Sequence, residues 1–312
     1  MGIFKRNKAV LEEKDASGVV PLAVFLIASI FITVNVFTHL PLYLESLFIP
    51  VKHPLMYKFP KYGELLPLIV KGDYVDYKQL QKSSKLLDEA IAELAQTSPD
   101  DLEDEDQRFC FWINTYNMLV LKAISEKYPV LRLDEKALSR SFSANKYFIG
   151  GHPLSLEQIR RLQLVPRYPY KPLALFLVCG GSLGSPPLLD HVITPKTMDA
   201  DGDKAAHKFV LNHQNVLYDG DHKTLLMTPL LKLNESVFAK WGGPSEFANQ
   251  FLPNDQQLDL GSQDVLFKSY ARTFNMFLND TALQHASAPK EKPLEPNIES
   301  TSNKPQIEPA TK

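Results

Sequence analysis

The sequence predicts an α+β fold: one helix-rich domain with a small, mostly antiparallel sheet, preceded by an N-terminal transmembrane helix. Three observations carry this expectation. Residues 19–37 contain no charged side chain. Residues 104–127 open acidic and continue apolar nearly all round, the pattern of a buried central helix. Two glycine-centred hairpins follow, without the regular strand–helix alternation of a doubly wound sheet.

At about 1.5 Å per residue, the 19–37 run nearly crosses a hydrocarbon core of about 30 Å. Lys5, Arg6, Lys8 and Lys14 precede it, and the next basic residue is Lys52. This asymmetry predicts a cytoplasmic N-terminus (1–18), an anchor (19–37), and everything after about residue 40 outside. The expected setting is a bacterial inner membrane, crossed once, with an extracytoplasmic C-terminal domain. Thr38-His39-Leu40-Pro41 is a poor leader-cleavage site, so the segment reads as an uncleaved anchor in contact with the lipid bilayer.

Residues 38–56 carry three prolines and read as a juxtamembrane stalk. Residues 281–312 contain Pro289, Pro293, Pro296, Pro305 and Pro309 among polar residues, and predict a disordered tail. The domain itself spans 57–280. Leu80, Leu86, Leu87, Ala90, Ile91 and Leu94 recur at helical spacing. The acidic start at 103–106 suits the positive end of the next helix dipole. Residues 147–149 and 152–154 flank Gly150-Gly151 as a hairpin, and Ser155 with Gln158 has capping-box spacing. The apolar run 173–179 between Pro172 and Gly180 reads as a buried strand. Thr194-Pro195 reads as a helix start running to about Asn212. Residues 216–218 and 223–227 form a second hairpin around Asp219-Gly220, and helices are expected near 231–240 and 245–252.

Composition narrows the function classes. The net charge is −2, which excludes a protein that coats nucleic acid through bulk positive charge. The two cysteines, Cys110 and Cys179, cannot build a disulfide scaffold or a multi-cysteine zinc site. Each is expected to be buried and reduced. Asp199-Ala200-Asp201-Gly202-Asp203 invites a calcium reading, but Lys204 and Val210 occupy the positions where an EF-hand loop needs Gly and Glu. No pair among His191, His207 and His213 has the i, i+4 spacing of helical metal ligands. No metal or cofactor is expected.

Two constellations remain. Gly180-Gly181-Ser182-Leu183-Gly184 matches Gly-x-Ser-x-Gly directly after the expected strand, the pattern of a nucleophile elbow. Asp190, Asp199 or Asp219, with His191, His207, His213 or His222, could complete a triad, although Pro186-Pro187 interrupts the helix an elbow needs. Asn114 and Asn117 lie three apart on the apolar helix with Tyr116 between them. Buried amides need partners. They are read either as a hydrogen-bond network pinning the helix to a loop or as the polar floor of a pocket.

Phe111-Trp112-Ile113-Asn114-Thr115-Tyr116-Asn117 resembles the signature of the domain-of-unknown-function 547 family. The likeness continues through Ile149-Gly150-Gly151, Ser155-Leu156 with Ile159, Leu177-Val178-Cys179 and Ser185-Pro186-Pro187-Leu188. It extends to Val237-Phe238-Ala239-Lys240-Trp241 and to the 270–275 stretch, covering about residues 60–278. The resemblance implies a site where members commonly pair a strand histidine with a loop cysteine. This chain has Ala174 and Ser185 at those positions, Arg160 where a Glu is usual, and Ala271-Arg272 for an Asp-Trp pair. A serine hydroxyl needs a positioned base where a thiolate does not.

The expected function is therefore a non-catalytic or diverged binding module, a pseudoenzyme of the cell envelope. Its partner would be a small polar ligand or an envelope protein, not nucleic acid. Expected ligand-binding residues are Asn114, Tyr116, Asn117, Gly180 and Gly181. The alternative is a hydrolase using Ser185 or Ser182 in a cysteine-hydrolase-like or serine-hydrolase-like site. No histidine is expected within hydrogen-bond reach of either serine.

Overall fold

The computed structural model describes residues 56–134, 136–144, 146–254, 257–261, 267–269 and 275–283, together with residues 24, 29–30, 40–42, 44–45 and 47–50. Among these, no helix is long and apolar enough to cross a membrane. The expected anchor at 19–37 lies outside them except for Val24, Ser29 and Ile30. Residues 38–39, 43, 46 and 51–55 of the expected stalk, and the tail beyond Leu283, also lie outside them.

The domain begins with α1 (Pro60–Ile69), the short antiparallel pair β1 (Val70–Lys71) and β2 (Tyr74–Val75), then α2 (Tyr77–Lys82) and α3 (Ser84–Ala95). The central helix α4 (Glu105–Ser125) is capped by the Asp104 carboxylate, which accepts from the Gln107 N–H at 2.7 Å. Glu105 and Asp106 fill its first turn, and from Phe109 to Ile124 nearly every side chain is buried. The remaining elements wrap this helix because it has no solvent face to spare.

After α5 (Lys136–Ser143), β3 (Tyr147–Ile149) and β4 (His152–Leu154) pair antiparallel across Gly150-Gly151. α6 (Leu156–Ile159) follows with the expected capping box: Ser155 and Gln158 each satisfy the other's backbone N–H. The helix continues through a π-helical turn, Arg160–Leu164, into a 3₁₀ turn, Val165–Arg167.

The expected strand at 173–179 is absent. Pro172–Leu177 is a 3₁₀ helix with Pro172 at its start, and only Val178 turns extended. Both faces of this run are buried, so its apolar pattern carries no period to separate strand from helix. The helix expected from Thr194-Pro195 begins later, as α7 (Met198–Leu211). Pro195 sits instead in a lead-in turn, where the Met198 and Thr197 N–H groups donate to the Thr194 carbonyl.

β5 (Val216–Asp219) and β6 (Thr224–Met227) form the second hairpin. α8 (Pro229–Leu233), a 3₁₀ helix at Glu235–Trp241 and α9 (Pro244–Gln250) follow, and β7 (Phe267–Ser269) pairs parallel with β6. The fold is α+β as expected. In place of one small sheet, the described residues hold three separate ones, of two, two and three strands. Phe176 on the 3₁₀ helix stacks on Phe247 of α9 and meets Phe209 of α7, so this half has its own aromatic centre.

Candidate functional site

The site is organised by two amides on one face of α4. Asn117 Nδ2 donates to the Leu177 carbonyl at 2.9 Å, and its Oδ1 accepts from the Cys179 N–H at 2.9 Å. Asn114 Nδ2 donates to the Ile193 carbonyl at 2.7 Å and to Cys110 of its own helix at 2.9 Å. Its Oδ1 accepts from the Ile193 N–H at 3.0 Å. Both side chains are buried. Each presents one donor and one acceptor to irregular backbone, as a neighbouring strand would. They hold the two ends of the stretch from 178 to 192, and between these ends lies the serine loop.

That loop closes on itself. Ser185 Oγ donates to the Ser182 carbonyl at 2.7 Å and accepts from the Ser182 N–H at 3.1 Å. The Ser185 N–H also donates to the Ser182 carbonyl. Gly180 lets this turn tighten, because a Cβ there would stand 3.1 Å from Ser185 Cβ. The far side of the loop is clasped by residues 275–279. The Leu183 and Gly184 N–H groups donate to the Phe277 and Asn275 carbonyls, and the Asn279 N–H donates to the Gly181 carbonyl. The same segment bonds Leu131 and Leu133 on its other edge.

The motif Gly-x-Ser-x-Gly therefore does not form an elbow: a 3₁₀ helix precedes it and a closed turn follows. Among the described residues, no histidine hydrogen-bonds to Ser182 or Ser185. His191 lies between two carboxylates, with Nδ1 2.8 Å from Asp190 and Nε2 3.1 Å from Asp201. Burial pulls its pKa down, but the hydrogen bonds to Asp190 and Asp201 outweigh burial and leave it raised above 6.5. His207 is held by the Asp203 carbonyl and His222 by Asp219. Ala174 is buried in the 3₁₀ helix. No group of three metal-ligating side chains occurs among the described residues.

Two depressions meet at the serine loop, and Ser182 and Ser185 line both. The larger, about 710 Å³, lies toward α7 and includes Phe209, Asn212, Asn275 and Phe277. The other, about 630 Å³, lies toward α5 and α6 and includes Tyr116, Gly180, Glu157, Arg160 and Asp134. Of the five residues expected to bind ligand, Tyr116 and Gly180 line this second cavity. Asn114, Asn117 and Gly181 do not: the amides are consumed by backbone, and Gly181 packs against Ile124 beneath the loop. Arg160 was noted in the sequence only as a departure from a family pattern. It stands on the cavity rim three residues after Glu157, which lines the same cavity.

The two cysteines are free and buried. Desolvation pushes the Cys110 thiol up to about 12 and the Cys179 thiol up to about 11, the latter against hydrogen bonds from Gly181 and Asn279. Neither is a nucleophile at neutral pH. Iodoacetamide is expected to modify both only on unfolding, so mass spectrometry of the native chain after brief exposure should find them unmodified. Rapid native alkylation of Cys179 would show the loop to be open.

Residues 99–210 match the model of a family described as "Protein of unknown function, DUF547". This span runs from a 3₁₀ turn before α4, Pro99–Asp101, to the last turn of α7, inside the longer stretch of resemblance seen in the sequence. It holds Asn114, Tyr116, Asn117, Arg160 and the serine loop, while the 275–279 clasp lies beyond it. No curated protein and no solved structure matches the chain.

Proposed function

Because the chain belongs to the DUF547 family through residues 99–210, we propose that its domain is a diverged, non-catalytic binding module of the cell envelope. It takes a small polar ligand in the cavity lined by Tyr116, Gly180 and Ser185. One observation carries this reading. The Ser185 hydroxyl already donates its proton to the Ser182 carbonyl, so the best-placed oxygen is engaged in holding the loop rather than activated by a base. A cavity of about 630 Å³ nevertheless opens beside it, within the size range of small-molecule sites.

Amide shifts of the ¹⁵N-labelled chain, titrated with a library of small polar compounds, test the reading. Shifts should cluster on Gly180, Ser185 and Tyr116, with each compound recovered intact. Consumption of a bound compound, abolished by Ser185→Ala, would instead establish the hydrolase.

The proposal places the domain outside a cytoplasmic membrane, on the strength of the charge-free 19–37 run and the basic residues before it. A phosphatase reporter fused after Lys312 should be active only on the extracytoplasmic side. A cytoplasmic reporter active in the same position would reverse the orientation.

A further inference from the structure

We infer that the cavity beside Ser185 recognises a zwitterion, with its carboxylate held by Arg160 and Tyr116 and its cationic end facing Glu157. This rests on the binding reading above and specifies its ligand. Arg160 lines the cavity, and its side chain makes no hydrogen bond or ion pair among the described residues. Its guanidinium thus presents several unspent N–H donors in the planar arrangement that suits a carboxylate.

Tyr116 lines the same cavity from α4, and its hydroxyl has no hydrogen-bond partner among the described residues. Burial raises its pKa to about 12, with Arg160 opposing, so at neutral pH it keeps its proton and is a donor. Arg160 also opens the π-helical turn Arg160–Leu164. A π-turn shifts the register of the residues it contains, and such turns recur at functional sites.

The acidic groups on the rim define the rest of the ligand. Asp134 is taken by Arg132 in a two-pronged pair at 2.9 and 2.7 Å, so it does not compete for Arg160. Glu157 stands three residues before Arg160, exposed and outside any ion pair among the described residues. A Glu and an Arg at this spacing ordinarily attract each other. Left apart on one cavity rim, they offer an acceptor and a donor to a ligand that carries both charges. The same Glu157 carboxylate disfavours a dianion such as phosphate.

Calorimetric titration of the full chain in detergent tests the inference with glycine, triglycine, glycylglycinamide and inorganic phosphate. Glycine or triglycine should bind saturably with a dissociation constant of about 10 mM or tighter. Whichever of the two binds more tightly assigns the source, free amino acid or peptide terminus. Arg160→Gln should weaken binding at least tenfold, and Tyr116→Phe about fivefold, roughly the value of one hydrogen bond. Glycylglycinamide, which lacks the carboxylate, and phosphate should bind far more weakly. Equal binding of glycylglycinamide, an unaffected Arg160→Gln variant, or no saturable response to either zwitterion would overturn the inference. If triglycine is cleaved, carboxylate recognition stands and the non-catalytic reading falls. If glycylglycinamide binds equally at the same residues, the binding reading stands and the zwitterion assignment falls.

Discussion

Asn117→Leu is expected to destabilise the domain by about 3 kcal/mol, read as a fall in the urea midpoint with the slope unchanged. Leu keeps the branched heavy-atom skeleton of Asn, so the substitution leaves no cavity. The cost comes from the Leu177 carbonyl and the Cys179 N–H, both buried and bonded to the Asn117 amide in the folded chain. Each would lose its partner where water does not reach, at about 1–3 kcal/mol apiece. Asn114→Leu should behave similarly through Ile193. The two losses should add if the amides act independently on the two ends of the loop. A double variant much less damaged than the sum would show that they hold one rigid unit.

The second large effect is expected from Gly184→Ala, at about 2–3 kcal/mol. A Cβ at this position would stand 2.7 Å from the Asn275 nitrogen and 3.0 Å from its carbonyl oxygen. Both are backbone atoms, so no rotamer change can relieve the clash. The 275–279 segment would have to lift from the loop, surrendering the bonds from Gly184 and Leu183. Hydrogen exchange at the Leu183 amide should then accelerate more than at the core amides of α4. Gly220→Ala serves as the control, since its Cβ would meet Tyr218 at an ordinary 3.6 Å, and it should change stability by less than about 0.5 kcal/mol.

What could be read from the sequence was local. The acidic start of α4, its apolar length, the Gly150-Gly151 hairpin and the Ser155 capping box each state their structure within a few residues, and each formed as expected. The 173–179 run was ambiguous in principle, because burial on every side erases the period that separates helix from strand. The pairing of β6 with β7 and the 275–279 clasp join residues far apart in the chain, where no local pattern speaks.

The site divides in the same way. That Asn114 and Asn117 would be buried and bonded followed from two amides on an apolar face. That their partners would be Leu177, Cys179 and Ile193, leaving no amide for a pocket floor, depended on the tertiary path of the loop. Tyr116 and Gly180 line the cavity, and Arg160 lies there because it follows Glu157 by three residues along the same helical run.

The account's central claim is that the serine loop frames a binding cavity without supplying a nucleophile. Exposure of the purified full chain to a fluorophosphonate probe, followed by peptide mass spectrometry, tests it most directly. With the Ser185 proton committed to the Ser182 carbonyl, neither Ser182 nor Ser185 should carry the probe after prolonged incubation at neutral pH. Stoichiometric modification of Ser185 in the native chain, lost on denaturation and absent in Ser185→Ala, would contradict the account and establish an activated serine.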